Sequence, residues 1–227
     1  MRWLTPGGLV AAGAVGIGVT SGLGWPGLVV LAAFLLSGSA LTQLAERRAP
    51  HRSARQVLAN GGVAAVAALL GSWTAAAGAI AAAAADTWAT EIGAFSPIPP
   101  RLATTWRRVT RGTSGGITLL GTVGGVAGAA TIAWLAHALA RPGVDAGFLT
   151  LTVAGVGGML ADSVLGATVQ GKYECPKCDA RFERGNTVCH ELVRLTTGWR
   201  WLDNDAVNFA ATVVGAVVAV IGAHAQR

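Results

Sequence analysis

Apolar stretches of about 20 residues recur along the whole chain, joined by short connections rich in arginine. This pattern constrains the fold more than any other feature, because a segment of that length inside hydrocarbon satisfies its backbone hydrogen bonds only as a helix or in a closed barrel. Seven stretches are read as spans: Pro6 to Gly22, Pro26 to Leu44, Val57 to Gly71, Thr74 to Phe95, Gly116 to Ala140, Ala146 to Gln170 and Asp205 to Ala225. The third is short and carries Asn60-Gly61-Gly62, so it is expected to tilt, break or cross only in part. Charged residues make up 12% of the 227-residue chain, half of the roughly 25% usual in soluble domains. The expected architecture is all-α, a polytopic membrane helix bundle of about seven transmembrane helices forming one integral-membrane domain over residues 1–227.

The net charge of +6, from 17 Lys and Arg against 11 Asp and Glu, is concentrated in three connections, Glu46 to Arg55, Arg101 to Arg111 and Lys172 to Arg200. Basic residues crowded into short loops beside apolar spans set membrane orientation and are no nucleic-acid footprint. A cytosolic N-terminus puts every basic residue except Arg141 and Arg227 inside, and makes 44–56, 96–115 and 171–204 cytosolic loops of a plasma-membrane (inner-membrane) protein. The first stretch lacks a clear A-x-A site and a second follows directly after Gly24-Trp25-Pro26, so a helical hairpin is expected rather than a cleaved signal peptide.

Acidic residues embedded in apolar sequence cost on the order of 3 kcal/mol even on lenient insertion scales, and they mark bundle interiors and functional sites. Asp86, Glu91 and Asp162 are of this kind, and Asp203-Asn204-Asp205 and Asn208 open the last helix. The alternating helix directions bring all of them to the cytosolic side. Asp86 and Glu91 stand about 140° apart on an ideal helix, so they line two sides of a cavity or meet through a distortion. Asp86, Glu91, Asp162 and Asp205 are the expected catalytic Mg²⁺ ligands, since that ion takes one or two carboxylates and completes its shell with phosphate and water.

Between the fourth and fifth stretches, prolines at 97, 99 and 100 force the chain out of helix. Arg107, Arg108 and Arg111 then offer fork-shaped phosphate donors, and Gly112-Thr113-Ser114-Gly115-Gly116 offers backbone amides just before an expected helix start. The spacing is not that of a Walker A loop, and an ordinary positive-inside turn capped by Thr113 or Ser114 would look the same. Arg107, Arg108, Arg111, Gly112, Thr113, Ser114 and Gly115, with Asn204 and Asn208, form the expected nucleotide- and phosphate-binding set. Cys175-Pro176-Lys177-Cys178 is half of a zinc knuckle, with Cys189-His190 farther along. Three thiolates and an imidazole would hold a structural Zn²⁺; His190, Glu183 or water is the fourth ligand, and three free thiols is the alternative. Trp88, beside Asp86, and Trp134 are read as the more buried tryptophans.

The run Ala85-Asp86-Thr87-Trp88-Ala89-Thr90-Glu91-Ile92-Gly93 is followed in order by Val109-x-Arg111-Gly112-Thr113-Ser114-Gly115-Gly116. Ala161-Asp162-Ser163-Val164-Leu165-Gly166-Ala167-Thr168-x-Gln170 and Asn204-Asp205-x-Val207-Asn208 complete the series. Together these segments resemble the membrane family of the chloroplast phytyl-phosphate kinase, over most of the chain from about Asn60 onward. A looser similarity to CTP-dependent polyprenol kinases rests on Asp86, Ala89 and Gly93 followed by Arg108, Arg111, Gly112 and Thr113. The resemblance implies transfer of the γ-phosphoryl of CTP, or of another nucleoside triphosphate, to an isoprenyl monophosphate such as phytyl or geranylgeranyl phosphate. A prenol kinase and a lipid-phosphate cytidylyltransferase are the neighbouring alternatives. A transporter or lipid flippase is the alternative of another class, against which no convincing inverted repeat is found.

Overall fold

The computed structural model describes residues 4–45, 51–140, 147–178, 180–182 and 189–226. Arg2, Arg47, Arg48, Arg141, Glu183, Arg184 and Arg227, which the sequence reading assigned to one side of the membrane or to the zinc site, lie outside them. Six helical elements are present among the described residues: α1 (Pro6–Ala45), α2 (Ala54–Leu69), α3 (Trp73–Gly93), α4 (Leu119–Leu139), α5 (Phe148–Thr168) and α6 (Asn204–His224). Four of these, α1, α4, α5 and α6, are long and apolar enough to cross a membrane.

The first two expected spans are one element, α1, broken at Gly24 (φ 71°, ψ −165°) with Pro26 just beyond. The chain reverses there. A Cβ on Gly16 would lie 4.0 Å from Leu28 Cδ1, whereas in a straight helix the two residues would be about 18 Å apart. Arg52 likewise lies against both Gly8 and Gly38. Glycine supplies the positive φ without a Cβ clash, and proline restarts a helix whose first N–H needs no partner.

Helix α2 runs unbroken through Asn60-Gly61-Gly62, so of the expected tilt, break or partial crossing the break is not realised. The Asn60 amide donates to the Gln56 carbonyl one turn back, and Gly61 lets Val15 of α1 approach, since a Cβ there would meet it at 2.9 Å. With 16 residues, α2 is about 24 Å long. Ser53 starts it with a reciprocal capping box to Gln56.

Helix α3 lies at the centre and packs against each of the other five helices. Its residues from Ala76 to Ala85 are buried throughout. This Ala- and Gly-rich helix is less apolar than α1, α4, α5 and α6, but it lets neighbouring backbones come close, which is how helices associate without a hydrophobic drive between them. Gly78 meets Gly215 and Ala219 of α6, and Gly155 of α5 meets Ala81 and Ala129. Trp134, expected to be buried, is exposed on the outer face of α4, whereas Trp73 is buried at the start of α3.

Two connections contain short antiparallel strands where plain loops were expected. β1 (Arg101–Leu102) pairs with β2 (Gly116–Ile117), so α4 begins at Leu119 rather than at Gly116. Its cap is Thr118, whose hydroxyl accepts from the Gly121 N–H. Between α5 and α6, β3 (Lys172–Glu174), β4 (Arg181–Phe182) and β5 (Arg194–Thr197) form a sheet in the order β4-β3-β5.

Candidate functional site

Helices α3, α5 and α6 meet at Gly158, where a Cβ would lie 2.7 Å from the Ala211 carbonyl oxygen and closer still to the Ala82 side chain. α3 and α5 run parallel, while α6 runs against them. One turn nearer the basic end, the same seam therefore receives Asp162 from α5, Asp86 from α3 and Asn208 from α6. With its amide nitrogen turned toward the acceptors around it, Asn208 donates to Asp162 Oδ2 at 2.9 Å and to the Asn204 carbonyl at 3.1 Å. An amide makes both bonds only in that orientation.

The glycine-rich segment docks on this seam. Gly115 has φ 78°, and a Cβ on it would stand 2.3 Å from the Ala167 nitrogen, so only glycine permits the contact. Ala167 is a little over one turn beyond Asp162, and Gly166 touches the Gly115 nitrogen as well. Gly112, also at positive φ (80°), and Thr113 complete a turn whose Thr110 and Thr113 hydroxyls are 3.0 Å apart. The side chains of Arg107 and Arg108 are exposed beside this turn, and Ser114 is half-buried. Arg111 is directed elsewhere: its Nη2 donates to the Ser96 carbonyl and fastens the proline turn to the loop. The amides of Gly112–Gly116 belong to a turn and to β2 rather than to the first turn of α4.

The four carboxylates do not gather into one metal-binding group among the described residues. Glu91 faces α1, where the Thr42 hydroxyl donates to its Oε1 at 2.6 Å. The cause is the helical angle noted above: Thr87 and Glu91 share the face toward Gly38 and Thr42, while Asp86 shares the face of Ala82. Asp205 lies 3.6 Å from Arg55 Nε, and Asp203 lies 2.8 Å from Arg55 Nη2 while also capping α6 through the Ala206 N–H. Sequence reasoning missed Thr42, Arg52 and Arg55 as partners of the acids. Their signal is weak, because one loop arginine looks like any other topogenic charge.

Cys175, Cys178, Cys189 and His190 converge, each offering one ligand atom within 4.8 Å of the others. Sγ of Cys178 and Cys189 are 3.6 Å apart, and His190 Nδ1 is 3.4 Å from Cys189 Sγ and 3.9 Å from Cys175 Sγ. A tetrahedral ion with metal–sulfur bonds of about 2.3 Å has sulfur–sulfur edges of about 3.8 Å, so the spacing is that of a metal knuckle. Adjacent Cys189 and His190 both reach it because the chain turns there, with the Cys189 N–H on the Glu191 carbonyl at 3.2 Å. Backbone N–H groups of His190 and Lys177 hold the buried Cys175 thiol down to about 5, while the sulfur contact with Cys178 pushes Cys189 up to about 11. The two ends of the connection that carries the knuckle are tied together beside the end of α5 and the start of α6. The Trp199 N–H bonds to the Val169 carbonyl, and the Gly171 N–H to the Leu202 carbonyl.

The chain matches the family described as integral membrane protein DUF92 over residues 1–216. It is 32% identical to the uncharacterized membrane protein MJ0933 of Methanocaldococcus jannaschii, with 97% of this chain and 86% of that protein covered. Identity to the Protein PGR of Arabidopsis thaliana is 33% over 57% of this chain and 47% of that protein. The Protein VTE6, chloroplastic, of the same plant is 25% identical over 96% of this chain and 65% of its own length. No solved structure matches. With helices long enough to span a bilayer and a family match over nearly its whole length, the chain is a multi-pass member of the integral membrane family DUF92.

Proposed function

We propose that the protein transfers the γ-phosphoryl group of a nucleoside triphosphate, CTP by family resemblance, to an isoprenyl monophosphate at the cytosolic face of the plasma membrane. The observation that carries this reading is the docking of Gly115 on Ala167, because it sets an amide-rich turn against α5 five residues beyond Asp162, the acid that Asn208 engages. Phosphoryl transfer needs positioning and charge neutralisation more than covalent help from the protein. Asn208 orients Asp162, and Asp86 on the same seam supplies a second carboxylate. Two acceptor-only side chains suit a Mg²⁺ ion that keeps water and phosphate as its other ligands. Such an ion, when bound, neutralises charge on the nucleotide phosphates.

Within this reading Arg107, Arg108, Thr113 and Ser114, with the turn amides, hold the phosphates, Asn204 stands beside Asn208, and Arg111 shapes the loop through Ser96. Glu91 and Asp205 act outside the Mg²⁺ pair. A phosphate monoester is already anionic near neutral pH, so no general base is required. The Cys₃His knuckle holds a structural Zn²⁺ that keeps the α5–α6 connection in register with the seam. The test uses purified protein, Mg²⁺ and prenyl phosphates with CTP labelled at either the γ or the α phosphate. Label from γ in a lipid diphosphate is the expected result; label from α marks a cytidylyltransferase, and no transfer from any of the four nucleotides overturns the reading.

A further inference from the structure

A partly open, mostly apolar cavity lies between the two arms of α1 and the first turns of α2. Its walls include Ala12, Val15, Leu31 and Phe34, and Arg52 lines it as well. None of these residues belongs to the seam of α3, α5 and α6. Arg52 is the unusual member. It is half-buried, and its backbone carbonyl is engaged by the Thr5 N–H. Its guanidinium makes, among the described residues, one long hydrogen bond, 3.4 Å from Nη2 to Thr42 Oγ1. A guanidinium has five donors and no acceptor, so most of its capacity is left for an anion. Glu91, the carboxylate beyond Thr42, accepts from the Thr42 hydroxyl and attracts Arg52 across it without a contact within 4.0 Å among the described residues, so it holds the arginine's charge in place while leaving most of its donors open.

An apolar cavity with an under-used guanidinium on its wall is complementary to a single-chain lipid bearing an anionic head, and the planar fork of arginine suits a phosphate. We infer that this cavity receives the apolar chain of the acceptor lipid and that Arg52 holds the lipid's phosphate. The inference rests on the kinase reading for the identity of the lipid. It also gives the two faces of α3 separate tasks. The Glu91 face, toward α1, borders the acceptor, and the Asp86 face, toward α5 and α6, borders the nucleotide. The reacting groups then meet across the end of one helix, a width of about 10 Å.

The test needs no turnover. Full-length protein in detergent, without nucleotide, is titrated with geranylgeranyl phosphate, geranylgeraniol and inorganic phosphate, and a diazirine-bearing analogue of the lipid phosphate is photolysed on it and mapped. The inference expects label on α1 and α2, weaker binding of the alcohol, and no competition from inorganic phosphate at the same concentration. Arg52→Gln should weaken the lipid phosphate by about tenfold or more and leave the alcohol unchanged. Ala12→Phe should weaken both lipids by filling the cavity. Label confined to α4, α5 or α6, or unchanged affinity in Ala12→Phe, overturns the inference, as does equal competition by inorganic phosphate, which would mark a free-phosphate site. Should Arg52→Gln not remain monodisperse, the label map and Ala12→Phe decide. A protein that binds as described yet transfers no γ-phosphoryl sinks the kinase reading alone, while an active kinase labelled elsewhere sinks only this assignment.

Discussion

Asn208 on α6 donates to the Asp162 carboxylate on α5 at 2.9 Å, so the orientation of one motif's acid depends on another motif's amide. Asp162→Asn keeps the shape and an acceptor oxygen but removes the charge. Turnover should fall by about 10²-fold or more, as when a group that acts on transition-state charge is removed. The thermal midpoint should move by no more than about 4 °C, corresponding to less than about 1 kcal/mol. Steady-state kinetics and thermal melts in the same detergent check both; a large loss of stability with normal turnover would assign the pair to packing.

Gly115 and Gly112 share a left-handed backbone but differ in surroundings. Gly115→Ala drives a Cβ against Ala167, whereas Gly112→Ala meets nothing within 4 Å. The second change should therefore cost only the conformational penalty, about 1–2 kcal/mol. The first should lift the loop from α5, abolishing activity and exposing the loop to limited proteolysis. Similar behaviour of the two variants in both assays would refute the docking contact.

Gly157 and Gly158 form a neighbouring control on α5. A Cβ at Gly158 collides with Ala82 and the Ala211 carbonyl, while one at Gly157 has only Val218 at 4.0 Å. Gly158→Val should prevent α3, α5 and α6 from closing and yield aggregated protein on size exclusion. Gly157→Ala should elute as the parent does, with a near-parental melt, because its Cβ makes only an ordinary contact with Val218.

The metal knuckle carries a pH signature. Cys175, held near 5, is already a thiolate at neutral pH, whereas Cys189, pushed to about 11, must lose a proton to become a ligand. Binding therefore releases protons, and affinity must rise as pH rises. Titration with Co²⁺ followed by its thiolate charge-transfer band should show tighter binding at about pH 8 than at about pH 6. Cys189→Ser should weaken binding and flatten that dependence. Flat affinity across this range in the parent protein would show that Cys189 is not a ligand.

Much of the fold was legible because apolar run length is a direct readout of helices in a bilayer. Five expected spans coincide with α2 to α6 to within three residues at each end, the start of α4 being among the largest offsets. That start was misplaced because Gly115 and Gly116 looked like the entry to a helix, while the β1–β2 pairing that claims Gly116 joins residues distant in sequence. The C-x-x-C half of the knuckle was visible from spacing alone. His190 was one of three candidates for the fourth ligand, and what brings it to the thiols is a turn that carries adjacent side chains to one point.

Which acids meet was decided only by tertiary packing. The sequence by itself determined that Asp86 and Glu91 diverge by about 140°, that Asp162 stands inside an apolar helix, and that basic loops cap one end of the bundle. It did not determine that the Glu91 face meets Thr42 of α1, that the Asp86 face meets α5 and α6, or that Arg55 engages Asp203 and Asp205. In a soluble protein an amphipathic stripe identifies the buried face of each helix. Here lipid and protein interior are equally apolar, so the pattern of hydrophobic residues carries no facing information. The small residues at Gly78, Gly155, Gly158 and Gly215 choose the neighbours, through contacts that exist only once the helices are assembled.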